Sequence, residues 1–160
     1  MKRLLSAVIL TLLVLAAPAA VLAQDSGYIK VPNEDQEMNE ARDKARVLLE
    51  HFWEKFTNPG PDDTGFAIKV ALPYDGNSTE HIWTKDIERK GGKISAVINN
   101  VPRDVKTVRL GERIEVADAQ ISDWMYLRAG KIVGNYTIRP LLKRMPPQDA
   151  ARYRAMLADP

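Results

Sequence analysis

The stretch Phe66-Ala67-Ile68-Lys69-Val70-Ala71-Leu72 decides the architecture, because its large apolar residues fall at every second position. Successive side chains of a strand point to opposite faces, so this alternation predicts a strand with one buried face. Tyr74-Asp75-Gly76-Asn77-Ser78 follows as a turn whose Gly and Asn suit left-handed backbone. Thr79 to Ile87 then reads as a second strand, paired to the first. Gly91-Gly92 turns the chain again, and Lys93 to Asn99, with Ile94, Ala96 and Ile98 on one face, makes the third strand of a meander.

Upstream, Pro59-Gly60-Pro61 marks a loop that leads back to a different periodicity. Met38, Ala41, Ala45, Leu48, Leu49, Phe52 and Phe56 recur at helical spacing and predict one long amphipathic helix from Glu34 to about Phe56. Asn33 is placed to cap it, with Gln36 three residues on. Its apolar stripe needs a partner, and the following sheet supplies one.

Downstream, Val105 to Leu110 reads as a weak strand or extended link, Arg113 to Val116 extends again, and Ile121 to Leu127 is strand-like. Arg128-Ala129-Gly130-Lys131 closes a hairpin onto Ile132-Val133. Thr137 to Met145 is expected as a short helix, and Gln148 to Leu157 as a second, weakly amphipathic one. The fold class is therefore α+β: a long N-terminal helix on a mostly antiparallel, curved sheet of five or six short strands, with short C-terminal helices.

The amino terminus bears on location. Lys2 and Arg3, the apolar run Leu4 to Ala16, Pro18 and then Val21-Leu22-Ala23 form a signal-peptide pattern, with cleavage expected after Ala23. The expected organisation is a signal peptide over 1–23, a flexible lead over 24–33 and a single domain over 34–160. The product would be periplasmic or secreted, and without a membrane anchor once cut. The alternative is an uncleaved anchor, since Leu4 to Ala23 is about long enough to span a bilayer. Cleavage removes Lys2 and Arg3, taking Lys plus Arg from 23 to 21, level with 21 Asp plus Glu. A balanced chain makes nucleic acid a poor partner. With no cysteine, disulfides, thiol catalysis and zinc-thiolate sites are excluded together.

Several motifs in fixed order carry a resemblance: Glu80-His81-Ile82-Trp83, Leu110-Gly111-Glu112-Arg113-Ile114, Ile121-Ser122-Asp123-Trp124-Met125-Tyr126, Gly130-Lys131-Ile132-Val133-Gly134 and Tyr136-Thr137-Ile138-Arg139. From about Gly65 to Leu142 the chain resembles the YegJ-like family of small bacterial domains. That resemblance sharpens the domain boundaries and brings no activity with it. Where the family usually shows Gly-Gly, this chain has Gly134-Asn135, a departure at a point of expected close backbone approach.

Candidate chemistry is sparse. The two histidines, His51 and His81, lie about thirty residues apart without a ligand pattern, so no metal is expected, and nothing in the sequence asks for a cofactor. His81 could act as a general base if Glu80, Asp86 or Asp123 fixed its tautomer, which would make the protein a small hydrolase or transferase. Trp83, Trp124 and Tyr126 could instead form an aromatic platform for a protein, peptide or glycan of the cell envelope. The competing structural reading buries the second aromatic face under the C-terminal helix. Between the sharper two, the sequence favours a non-enzymatic binding module.

Overall fold

A computed structural model describes residues 35–76 and 78–158. The expected signal peptide, the expected lead and the expected helix start at Asn33 and Glu34 lie outside the described residues. Six strands form one sheet: β1 (Asp63–Asp75), β2 (Ser78–Lys90), β3 (Lys93–Ile98), β4 (Arg113–Val116), β5 (Ile121–Arg128) and β6 (Lys131–Gly134). Their spatial order is β4-β3-β2-β1-β5-β6, and every neighbouring pair is antiparallel. β1 is thus central, flanked by its hairpin partner β2 and by β5 from much later in the chain. The alternation of Ile68, Val70 and Leu72 persists in the structure, and all three are buried.

The long helix expected over 34–56 is instead two, α1 (Gln36–Val47) and α2 (Leu49–Thr57), with Leu48 between them at φ −97° and ψ 9°. Asp35 caps α1 by accepting the Met38 amide at 2.9 Å. Phe52 and Trp53 of α2 are adjacent, hence about 100° apart around a helix, and both are buried. At the break Trp124 Nε1 donates to the Ala45 carbonyl at 2.8 Å, satisfying an acceptor in the last turn of α1, where the next-turn amide is missing.

Phe52, Trp53, Phe56, Phe66, Trp124, Tyr126 and Tyr136 make a continuous aromatic cluster, with ring centroids from 5.0 to 6.3 Å apart. Ile94, Ala96, Ile98, Val105 and Val116 extend the core toward β4. The 105–110 segment forms no strand; it is a loop pinned by Glu80, whose carboxylate accepts the amides of Arg103, Asp104 and Val105, each at 2.9 Å. The C-terminal part comprises α3 (Ile138–Leu141), a 3-10 turn over Leu142–Arg144 and α4 (Pro147–Met156). No helix among the described residues is long and apolar enough to cross a membrane.

Candidate functional site

The pairing of β1 with its two neighbours creates a polar corner. Lys69 sits opposite Trp83 on β2 and opposite Asp123 on β5, and Ala71 sits opposite His81. The β1–β5 register shifts between Lys69 and Val70, leaving Ser122 as an extra residue on β5. Such a bulge re-aims side chains. Here Ser122 and Asp123, adjacent in sequence, both face polar partners while Ile121 and Trp124 on either side enter the apolar core.

Asp123 is fully buried and accepts four hydrogen bonds. Oδ1 takes the amides of Trp124 at 2.8 Å and Tyr136 at 3.1 Å; Oδ2 takes the Thr137 amide at 2.8 Å and the Thr137 hydroxyl at 2.6 Å. Since Thr137 Oγ1 gives its proton to Asp123, its lone pairs face Lys69 Nζ, which donates to it at 2.5 Å. The Lys69 ammonium also lies 4.6 Å from the centroid of the Trp83 ring. Burial, reinforced by Arg42 and opposed by Asp123, holds Lys69 below the usual lysine range.

His81 Nδ1 lies 2.8 Å from Ser122 Oγ, which donates to the Lys69 carbonyl at 3.2 Å. With that hydroxyl proton committed, Nδ1 carries the imidazole hydrogen and donates to Ser122, leaving Nε2 as the basic nitrogen. Burial, and then Arg42, Lys69 and Arg46, push the imidazole down to about 4.

The acids that could have oriented His81 do other work. Asp123 organises the return from β6. Glu80, where burial opposes ionisation but three amides hold the carboxyl below its ordinary range, anchors the 103–105 loop. Asp86 is exposed at a bulge with φ 48°. A base near 4 with no carboxylate partner is a weak proton acceptor at neutral pH.

The three aromatic candidates are not brought to one surface. Trp124 and Tyr126 are 1 % and 0 % exposed and belong to the core, whereas Trp83 is half-buried at the polar corner. His51 is exposed, its ring 6.3 Å from that of Trp124. Lys69 and Thr137, central to the corner, were missed by sequence reasoning; Lys69 occupies what alternation marks as a solvent-facing position. Among the described residues no group of three or more His, Asp or Glu is arranged to hold a metal. A shallow depression lies elsewhere, between the ends of β2, β3 and β4, lined by Glu88, Lys90, Lys93, Ile94, Ser95 and Glu115.

Known proteins place this fold in context. Residues 35–158 match the family model described as "Uncharacterized protein conserved in bacteria (DUF2314)". The chain is 38% identical over 122 residues to the uncharacterized protein YegJ of Escherichia coli K12, covering 76% of this chain and 78% of that one. It is 30% identical over 139 residues to a putative ankyrin repeat protein of Neisseria meningitidis serogroup B, covering 82% of this chain but only 54% of that longer protein. No solved structure matches. With all its described residues inside the family model and 38% identity to YegJ over most of both chains, the protein belongs to the DUF2314 family of bacteria.

Proposed function

We propose that this domain is an exported, non-enzymatic binding module that meets a protein, peptide or glycan of the cell envelope through the surface around Trp83. The observation that carries this reading is the half-buried indole of Trp83 with the Lys69 ammonium 4.6 Å from its ring centroid. An amphipathic ring fixed by a neighbouring cation is a preorganised contact that loses little freedom on binding. Trp124 and Tyr126, as core residues, take no direct part in that surface. The pattern Lys2, Arg3, Leu4 to Ala16 and Val21-Leu22-Ala23 supports export.

The test joins location to binding. Cells producing the full chain are fractionated, and the processed protein is expected in the envelope fraction with Gln24 at its amino terminus. Affinity capture from envelope extract is then compared for wild type and Trp83→Ala. A reproducible companion lost in the variant supports the module. Unprocessed protein in the cytosol, or equal capture by both forms, overturns it.

A further inference from the structure

The charges around His81 are mainly of one sign. Lys69 comes from β1, and Arg42 and Arg46, four residues apart and so on one face of α1, both act on the imidazole. Arg42 acts on Lys69 as well, and α1 is tied to β5 three residues from Arg42 by the Trp124 Nε1–Ala45 carbonyl bond at 2.8 Å. Asp123, opposite Lys69 on β5, is the larger of the two charges acting on that ammonium, but its hydrogen bonds go to Trp124, Tyr136 and Thr137 and it is not among the groups acting on His81. Arg46 pairs with exposed Asp43 at 3.2 Å, and Arg42 donates to the neutral Asn39 side chain at 2.8 Å. Asp35 and Asp43, which both act on Arg42, are engaged by Arg144 and Arg46 respectively. No acid is among the principal charges acting on His81.

We infer that the corner formed by Lys69, His81 and Arg42 beside Trp83 holds an oxyanion, a carboxylate or a phosphate-like group carried by the ligand. This rests on the binding reading above and gives its ligand a chemistry: an anionic head against the cations and an apolar or sugar face against the Trp83 ring. His81 couples the two. Its Nδ1 is fixed by Ser122, so a proton taken up at Nε2 creates a donor for the anion, and binding an anion favours that uptake. No bond is made or broken; the proton comes from solvent. Affinity therefore rises as pH falls.

Sulfate, which stays a dianion across the range, and acetate, used at pH 7, serve as tetrahedral and planar probes, with ionic strength held by chloride. The full processed protein, labelled at histidine, is titrated by NMR, with His51 as internal reference because it is exposed. Saturating probe is expected to raise the His81 midpoint by about one pH unit, equivalent to about tenfold tighter binding to the protonated form, while His51 moves little. Lys69→Met and Arg42→Gln are each expected to weaken the probe at least about fivefold. Preference between sulfate and acetate separates a phosphate-like head from a carboxylate.

Equal movement of His51 and His81, or unchanged affinity in a folded Arg42→Gln, overturns the site; if Lys69→Met does not fold, the histidine comparison and Arg42→Gln still decide it. The two readings fail separately. Loss of the envelope partner in Trp83→Ala with an unmoved His81 sinks only the oxyanion. A responsive His81 with partner capture intact in Trp83→Ala overturns the proposed function and leaves the oxyanion corner standing.

Discussion

Asp123 is the residue on which the corner depends. Its four acceptor contacts join β5 to the turn after β6, and every donor it meets is an N–H or O–H. Asp123→Asn keeps the shape but aims an NH₂ group at donors, so one pair must separate. A cost of about 3 kcal/mol is expected, since unsatisfied buried groups near a charge lie at the upper end of the range. Thr137→Val, which removes the link to Lys69 and leaves the Thr137 amide bond in place, is expected to cost about 1–2 kcal/mol. Urea titration of the three proteins checks the order, and equal loss in both variants would refute it. His81 adds a pH dependence. Its folded value is about 4, below the ordinary 6.5. The unfolded chain therefore takes up the proton first on acidification, and stability present above about pH 6.5 is lost as pH falls toward 4. The loss should approach about 2 kcal/mol after allowance for water at a half-buried ring, and His81→Gln should flatten that part of the profile. His81 and Asp123 were both visible in the sequence as polar residues beside large apolar ones, Ile82 and Trp124. Their partners were not, because a bulge and a turn set them, and neither has a spacing signature.

Elements show where local pattern was enough and where packing overrode it. β1, β2 and β3 were legible because Ile68, Val70, Leu72, Ile82, Ile94, Ala96 and Ile98 alternate cleanly, and the structure buries each. The break at Leu48 was illegible: Ala45, Leu48, Leu49 and Phe52 keep helical spacing through it, and the Trp124 indole bond to the Ala45 carbonyl that accompanies it comes from a strand distant in sequence. Trp124→Phe should therefore cost about 2–3 kcal/mol, combining a lost hydrogen bond with a partly emptied site. Faster amide exchange in the last turn of α1 than in β5 is the local sign to measure. The turn after β6 makes a sharper case. Gly134 has φ 82°, and a Cβ there would stand 2.4 Å from the Trp124 carbonyl oxygen and 2.6 Å from its ring. The close approach thus exists at Gly134, while Asn135, at φ 49°, takes the left-handed position beside it. Gly134→Ala should destabilise by more than about 3 kcal/mol, since backbone strain and overlap add. Gly76→Ala, with φ 51° but nothing within 4 Å, should cost only about 1–2 kcal/mol. Similar midpoints for the two alanine variants in thermal or urea unfolding would contradict this account.

At the scale of the molecule, the order β4-β3-β2-β1-β5-β6 leaves two sheet edges, and each is handled differently. β4 is four residues long and carries Arg113 and Glu115, both exposed, so it offers little template for pairing. β6 carries Ile132 and Val133 and is covered by the end of the chain. Leu157 bridges to Ile132 in parallel, the Ala158 amide donates to the Ile132 carbonyl at 2.8 Å, and Lys131 Nζ reaches the Ala155 carbonyl at 2.5 Å. The weak stripe of α4 was legible from sequence, but this edge-covering role was not, because it depends on where β6 lies after a long-range pairing of β5 with β1. Ala150 is the buried residue that docks α4, and the Arg144–Asp35 and Lys143–Glu37 pairs join the preceding turn to the start of α1. Both pairs lie outside α4, whose one buried residue is Ala150, so removing α4 should leave the sheet folded with its β6 edge open. A chain ending at Met145 is therefore expected to self-associate more than the full chain as concentration rises, with larger mass by light scattering. Placing Ile132→Lys in the truncated chain should reverse the effect, since a charge on an open edge blocks pairing. Identical mass for full and truncated chains across the concentration range would mean that the C-terminal segment packs on β6 without protecting it.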